Sequence, residues 1–310
     1  MAGALGVVIA NNVSVAGQHA QPVYVDDSLP IVGPSRAVVV GAADIPQMGG
    51  PPIAVRLAPA GTPAIGPALP IYIIPGGGSL DSTFAYTNKV IGLTPIAYWP
   101  LAEPSGTTIV DESGNGRNGA YTAVTVAQPG IGDGRTSASF DGATSFGNIF
   151  SASLQGAFNG AEGTLALWAK VSAAGVWTDA TARDLTNLGV SGSNVPRIQK
   201  PTTSNQMQCT YIAGGTNKTV NIGTSTTAWV HFAMTWSKSA DQMIAYINGV
   251  QSGATQTGLG VFAGSLSATL TTIGAASTVP AAVWSGLLAH VAVWATPLSA
   301  GQIATLAVVP

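Results

Sequence analysis

The chain has 310 residues, a formal net charge of −2 and only 8% charged side chains, with a mean hydropathy of +0.35. That length predicts two regions, each able to bury a core. No cluster of Lys and Arg marks a nucleic-acid or anionic-lipid partner, and no apolar run reaches the roughly eighteen residues of a membrane-spanning helix, so neither nucleic acid nor membrane insertion is expected.

Cys209 is the only cysteine, which excludes an intrachain disulfide framework and a thiolate metal cluster; it is expected to be a small core residue. A weakly charged, Gly-rich chain with abundant Val, Ile, Thr and Ser fits an all-β protein that buries further surface by oligomerising. Residues 4–10 are apolar, but no Lys or Arg precedes Arg36, so the basic start of a secretory signal is missing and Met1 is taken as the first residue of the mature protein.

Composition changes at Gly76-Gly77-Gly78. Before that point lie 11 of the 20 prolines and neither Trp nor Lys; after it come all seven Trp, which need a core to pack in. The first part carries recurring apolar bursts: Pro22-Val-Tyr24-Val, Arg36-Ala-Val-Val-Val, Pro52-Ile53-Ala-Val-Arg and Pro70-Ile-Tyr72-Ile-Ile-Pro. Gly-Pro steps at Gly33, Gly50 and Gly66 precede the last three. A Pro opening a short strand does little harm where its missing N–H is not needed, and Gly-Pro turns the chain between strands. No burst could cover its own apolar faces, so residues 1–78 are expected to form an extended Pro/Gly-rich arm with short strands that orders on assembly; a flexible tether is the alternative. Residues 79–93 are expected as linker and 94–310 as the second domain.

In that domain, half-buried alternation predicts strands over 164–171, 229–236, 242–247, 270–273 and 288–294. Asn248-Gly249 tolerates the positive φ values of a two-residue type I′ turn and predicts a hairpin. Ser299 with Gln302 forms a capping box, and Leu298 can staple to Ile303, so a helix is expected to end near Leu306.

Five ordered features carry a family resemblance: Ala97-Tyr98-Trp99-Pro100-Leu101, the loop Asp111 to Gly119, Phe140-Asp141-Gly142, Tyr246-Ile247-Asn248-Gly249, and the closing Gly286-Leu287 to Leu298-Ser299. Over about Thr94 to Leu306 the chain resembles the laminin-G-like, concanavalin A-like lectin and glucanase superfamily. The resemblance implies an antiparallel jelly-roll-type β-sandwich, with Tyr98 and Trp99 in its core, that often holds Ca²⁺ and sugar. It places Asp111, Asn115 and Asn118 in the family's Gly/Asn-rich loop, where oxygen ligands could hold calcium; a plain Asx-turn loop is the alternative. In the closing strand the family commonly has an acidic residue soon after the Gly, where this chain has Leu287-Leu288-Ala289-His290. The expectation is no cofactor, or calcium alone.

Trp177, Tyr211 and Trp284 are the aromatics least embedded in strand alternation, and so the candidates for stacking on a sugar; core filling is the alternative. Asp141 is expected to fix a turn, and His231, inside a strand, to be structural. The glutamates Glu103, Glu112 and Glu162 are far apart, the three histidines share no ligand spacing, and neither a nucleophile elbow nor a phosphate loop occurs, so no enzyme is expected.

An apolar arm followed by a lectin-like sandwich resembles structural proteins of tailed bacteriophages. That layout implies a virion-surface protein, a capsid decoration or head-fibre subunit, anchored by its arm to other virion proteins (major capsid protein or tail) and trimeric. The alternative is a tail-fibre or adhesin-type protein whose sandwich binds a host glycan.

Overall fold

A computed structural model describes residues 82–310. The arm residues Pro22, Tyr24, Pro52, Ile53, Pro70 and Tyr72, with their short strands, lie outside the described residues.

Chain order begins with helix α1 (Ser82–Ile91), followed by β1 (Ala97–Trp99), β2 (Thr108–Ile109), β3 (Gly119–Thr122), β4 (Thr125–Pro129), β5 (Thr136–Asp141) and β6 (Phe146–Asn148). Helix α2 (Ala152–Ala157) then leads to β7 (Glu162–Val171), a 3₁₀ turn (Ala174–Trp177), β8 (Arg183–Leu188), β9 (Val195–Lys200), β10 (Gln206–Ala213) and β11 (Thr216–Gly223). The rest is β12 (Val230–Ser237), β13 (Gln242–Ile247), β14 (Val250–Gln256), β15 (Thr271–Ile273), β16 (Ser285–Trp294) and α3 (Ala300–Leu306).

The strands form two antiparallel sheets, the all-β sandwich that the alternation and the resemblance predict. The first runs β14-β13-β12-β7-β16-β5-β4, with β1 paired to the far half of β16. The second runs β11-β10-β9-β8-β15-β6-β3-β2. Alternate residues of both point inward: Leu165, Leu167, Phe232, Met234 and Trp236 from the first meet Ile198, Met207, Cys209, Tyr211, Val220 and Ile222 from the second. Cys209 and Trp99 are fully buried in this core.

All five expected strands are present, β13 pairs with β14 across the expected hairpin, and β12 lies between β7 and β13. Asn248 and Gly249 take φ values of 46° and 80° between the paired Ile247 and Val250, the conformation of a type I′ turn. The capping box at Ser299 is formed in both directions, and Leu298 and Ile303 are buried together.

Residues 82–91, inside the stretch expected as linker, are instead helix α1, packed on the sandwich. Tyr86 and Val90, four apart on one face, are buried with Tyr98, Trp168, Trp294 and the α3 residues Ile303 and Leu306. The first sheet therefore has a second, smaller core on its outer face, where Tyr98 sits rather than in the interior. Among the described residues no helix covers β8 to β11 of the second sheet, and the alternation there leaves a polar face outward.

Candidate functional site

The residues opposite the core on β8 to β11 fall into two cross-strand rows. Asp184, Gln199, Gln208 and Asn221 are directly paired in one; Asn187, Arg197, Thr210 and Thr219 are paired in the other. Beyond Asn187 the second row continues to Thr272 and Asn148. At the ordinary strand spacing, four strands span about 14 Å.

Side chains link along the rows. Gln199 Nε2 donates to Gln208 Oε1 at 2.9 Å, and Gln208 Nε2 donates to Asn221 Oδ1 at 2.9 Å. The Thr210 and Thr219 hydroxyls lie 3.1 Å apart. An amide ladder of this kind holds each side chain in one rotamer while leaving further donors and acceptors for a ligand.

One end of the face is roofed by the turn at residues 274–284. Asp184 N–H donates to Ala282 O and Asn187 Nδ2 to Ala276 O, at 2.7 and 3.1 Å. Asp184 is thereby buried. Burial pushes its carboxyl up to about 6, against the opposing pull of the Arg197 charge and of Asn187 Nδ2, 3.4 Å away. Asn187 Oδ1 and Arg197 Nε are buried without a hydrogen-bond partner among the described residues. A polar face with an unpartnered acceptor and donor at its roofed end suits a ligand rich in hydroxyl groups.

The rows hold one carboxylate. Asp179, near the end of β8, is committed elsewhere: it pairs with Arg183 at 2.6 Å and Lys200 at 3.0 Å, which hold it down to about 2 against the cost of burial. Hydrolysis by paired carboxylates has no second group here.

The residues expected from sequence are placed otherwise. Asp111, Asn115 and Asn118 do come together, but their polar atoms bind backbone. Asp111 Oδ1 accepts from Tyr98 and Ser113 N–H, Oδ2 from Arg117 N–H, and Asn118 Oδ1 from Asp111 N–H, all within 2.8–3.0 Å. Asn115 Nδ2 donates to Ile96 O at 3.1 Å. Calcium takes six to eight oxygens, and among the described residues no three acidic, His or Cys side chains cluster. The loop does not fit calcium; it fits the Asx-turn alternative.

The expected sugar-stacking rings are corrected to core residues. Trp177 is 3% exposed, Trp284 1% and Tyr211 0%, which leaves no ring face for a sugar. Trp177 and Trp284 pack edge to face at 6.5 Å, and Tyr211 stacks on Trp236 at 5.9 Å while its hydroxyl donates to Gly160 O. A large ring beside a turn is pulled inward when the turn folds back over the sheet, as the 3₁₀ turn does with Trp177.

Asp141 fixes its turn by accepting from Ala143, Thr144 and Ser145 N–H. His231 is buried against Trp168, with Nδ1 unpartnered and its pKa pushed down to about 3 by burial.

The model of the concanavalin A-like lectin/glucanases superfamily matches residues 141–304. The chain belongs to this superfamily. Solved structures share its fold at low identity. The botulinum neurotoxin serotype D binding domain is 13% identical, with a TM-score of 0.51 over 69% of this chain and 51% of that one. The receptor binding domain of botulinum neurotoxin mosaic serotype C/D is 13% identical, with a TM-score of 0.53 over 70% and 51%. A Trypanosoma rangeli sialidase in complex with sialic acid is 12% identical, with a TM-score of 0.50 over 68% and 32%. The chain thus spans about half the length of the binding domains it matches, and less of the sialidase. No curated protein matches it. Within the superfamily match lie all eight residues of the two polar rows, which the sequence alone did not single out. The available signal was the alternation Gln206-Met-Gln-Cys-Thr-Tyr: it sends apolar residues inward and leaves amides and hydroxyls outward.

Proposed function

We propose that the sandwich is a non-catalytic recognition module that binds polysaccharide across the two polar rows, and that the N-terminal region anchors it, as a homotrimer, on a virion surface. The amide ladder Gln199–Gln208–Asn221, ending at the roofed Asp184, carries the recognition part. Fixed amides along an open face match the repeating hydroxyls of a sugar chain, and a lone carboxylate leaves the bond intact. Likeness to two toxin binding domains supports the same reading.

The polar face favours a tail-fibre or adhesin-type role. Capsid decoration, or a head fibre, is supported only by layout: an apolar, proline-rich N-terminal part followed by a lectin-like domain. Glycan-array binding of the full chain tests the first role. Gln199→Ala with Gln208→Ala is expected to weaken any hit at least tenfold, whereas Gln251→Ala, on β14 of the other sheet, leaves it unchanged. Equal binding by all three proteins would remove the polar rows from the proposal. Immunogold labelling of intact particles separates tail from head, and unlabelled particles would end the virion reading.

A further inference from the structure

Helix α1 closes a chain of polar contacts that runs from Arg135 through Thr87, Tyr98 and His290 to Asp133. Arg135 Nη1 donates to Thr87 Oγ1 at 2.8 Å, and Thr87 Oγ1 lies 3.2 Å from the Tyr98 hydroxyl. That hydroxyl is 2.7 Å from His290 Nδ1, and His290 Nε2 is 3.1 Å from Asp133 Oδ2. A guanidinium only donates and an ionised carboxylate only accepts. A neutral His290 with its proton on Nε2 therefore fits the three hydrogen bonds, Arg135 to Thr87, Thr87 to Tyr98 and Tyr98 to Nδ1, and leaves Nε2 in close contact with Asp133 Oδ2, outside hydrogen-bond geometry.

A second proton, on Nδ1, reverses the middle of this chain. It would face the Tyr98 hydroxyl and turn that proton toward Thr87 Oγ1, whose second lone pair would accept it beside the bond from Arg135. The Thr87 hydroxyl proton is then left without Tyr98 as acceptor. Thr87 belongs to α1, and so does Tyr86, whose ring centre lies 4.4 Å from that of His290. The helix supplies both the link that the second proton would reorient and the ring that covers the imidazole. His290 is held there by backbone geometry: it sits at φ 53° in the register shift of β16, between Ala289 and Ala292.

We propose that α1 is a pH-gated latch on the outer face of the first sheet, docked while His290 is neutral and released when His290 takes a second proton. Burial holds the His290 pKa below its ordinary value, with Asp133 opposing that shift. Other titratable or charged groups around the latch are Glu112, ion-paired with Arg135; Tyr86; His231 behind Trp168; Lys170 further along β7; Tyr246 on β13; and Lys89, which donates to Val308 O. Helix α3 contributes none.

The sign follows from linkage. A histidine depressed only in the docked state supports docking fully above its free pKa of about 6.5, and the support falls up to tenfold per unit as pH drops from there toward the docked value. Release would turn a helix of about 15 Å into a leash of up to about 33 Å, directly after the N-terminal region.

Hydrogen exchange of the full chain between pH 8 and 5, corrected for intrinsic rates, tests this. The amides of Tyr86 to Ile91 are expected to lose about tenfold protection per pH unit below about 6.5, while those of β7 and β12 stay protected. His290→Asn keeps a residue type that tolerates positive φ and cannot titrate; its α1 protection is expected to be independent of pH. A flat wild-type profile, a variant that follows the wild type, or loss of β7 and β12 together with α1 would each overturn the latch. Should the variant not fold, the His290 ring resonance of the wild-type protein decides: titration well below 6.5 with α1 docked supports the latch, and titration near 6.5 with α1 docked overturns it.

Discussion

The two outer faces of this sandwich are built from the same alternating strands and end in opposite states. On the first sheet, outward positions carry Trp168, Tyr246 and Trp294, and two helices cover them. On the second, they carry amides, hydroxyls, one acid and one arginine, and among the described residues no helix covers them. The inward residues are alike in character on both, so the fold does not distinguish the sheets. What distinguishes them is the polarity of every second residue: one face becomes further core, the other stays polar.

On the covered face, Tyr86 is fully buried. Its ring covers His290, and its hydroxyl accepts from Trp168 Nε1 and donates to Leu306 O, each at 2.7 Å. If the covered face is true core, Tyr86→Ala should cost about 3–5 kcal/mol in urea unfolding, as for a buried aromatic. Tyr86→Phe, which strands only the two polar partners, should cost about 1–3 kcal/mol. Changes within 0.5 kcal/mol for both would make α1 a surface appendage.

Asp184 sharpens the comparison from the other side. Its folded pKa, near 6, lies above the ordinary aspartate value. The folded state therefore holds the proton more tightly between about pH 4 and 6, stability falls as pH rises through that window, and the penalty is complete above it. Asp184→Asn keeps the shape and removes the charge. It should raise stability by roughly 1–3 kcal/mol at pH 8 and leave it nearly unchanged at pH 4, read from urea midpoints at the two values. A gain of the same size at both values would mean that burial of the charge is not the cause.

The sequence disclosed these two faces unequally. Strands β7, β12, β13 and β16 were legible because Trp, Leu, Val and Ile alternate strongly, and the Asn248-Gly249 turn and the Ser299 capping box are local chemistry that needs no tertiary context. Strands β8 to β11 were not, since Thr, Asn, Gln and Lys dominate them and polar-rich stretches look like loops until paired. Helix α1 was missed for a related reason: Tyr86 and Val90 are a short apolar signal for its buried face, and its partner positions lie far along the chain. The aromatic site failed because a ring's position in sequence does not reveal which way a turn folds it. The polar rows depend on register across four strands, which no single segment contains.

The smallest effect is the most discriminating. Gln208 lies mid-ladder, half-buried, with both neighbours on the same face. If the open face is not a structural element, Gln208→Ala should change stability by no more than about 0.5 kcal/mol, because water can replace both amide bonds. A cost near that of Tyr86→Phe would mean that the ladder knits β9, β10 and β11 together, and that the two faces differ in polarity but not in purpose. A negligible cost, together with weakened glycan binding by Gln199→Ala with Gln208→Ala, would separate stability from recognition along the plane of the sandwich, with α1 and its histidine on one side and the amide rows on the other.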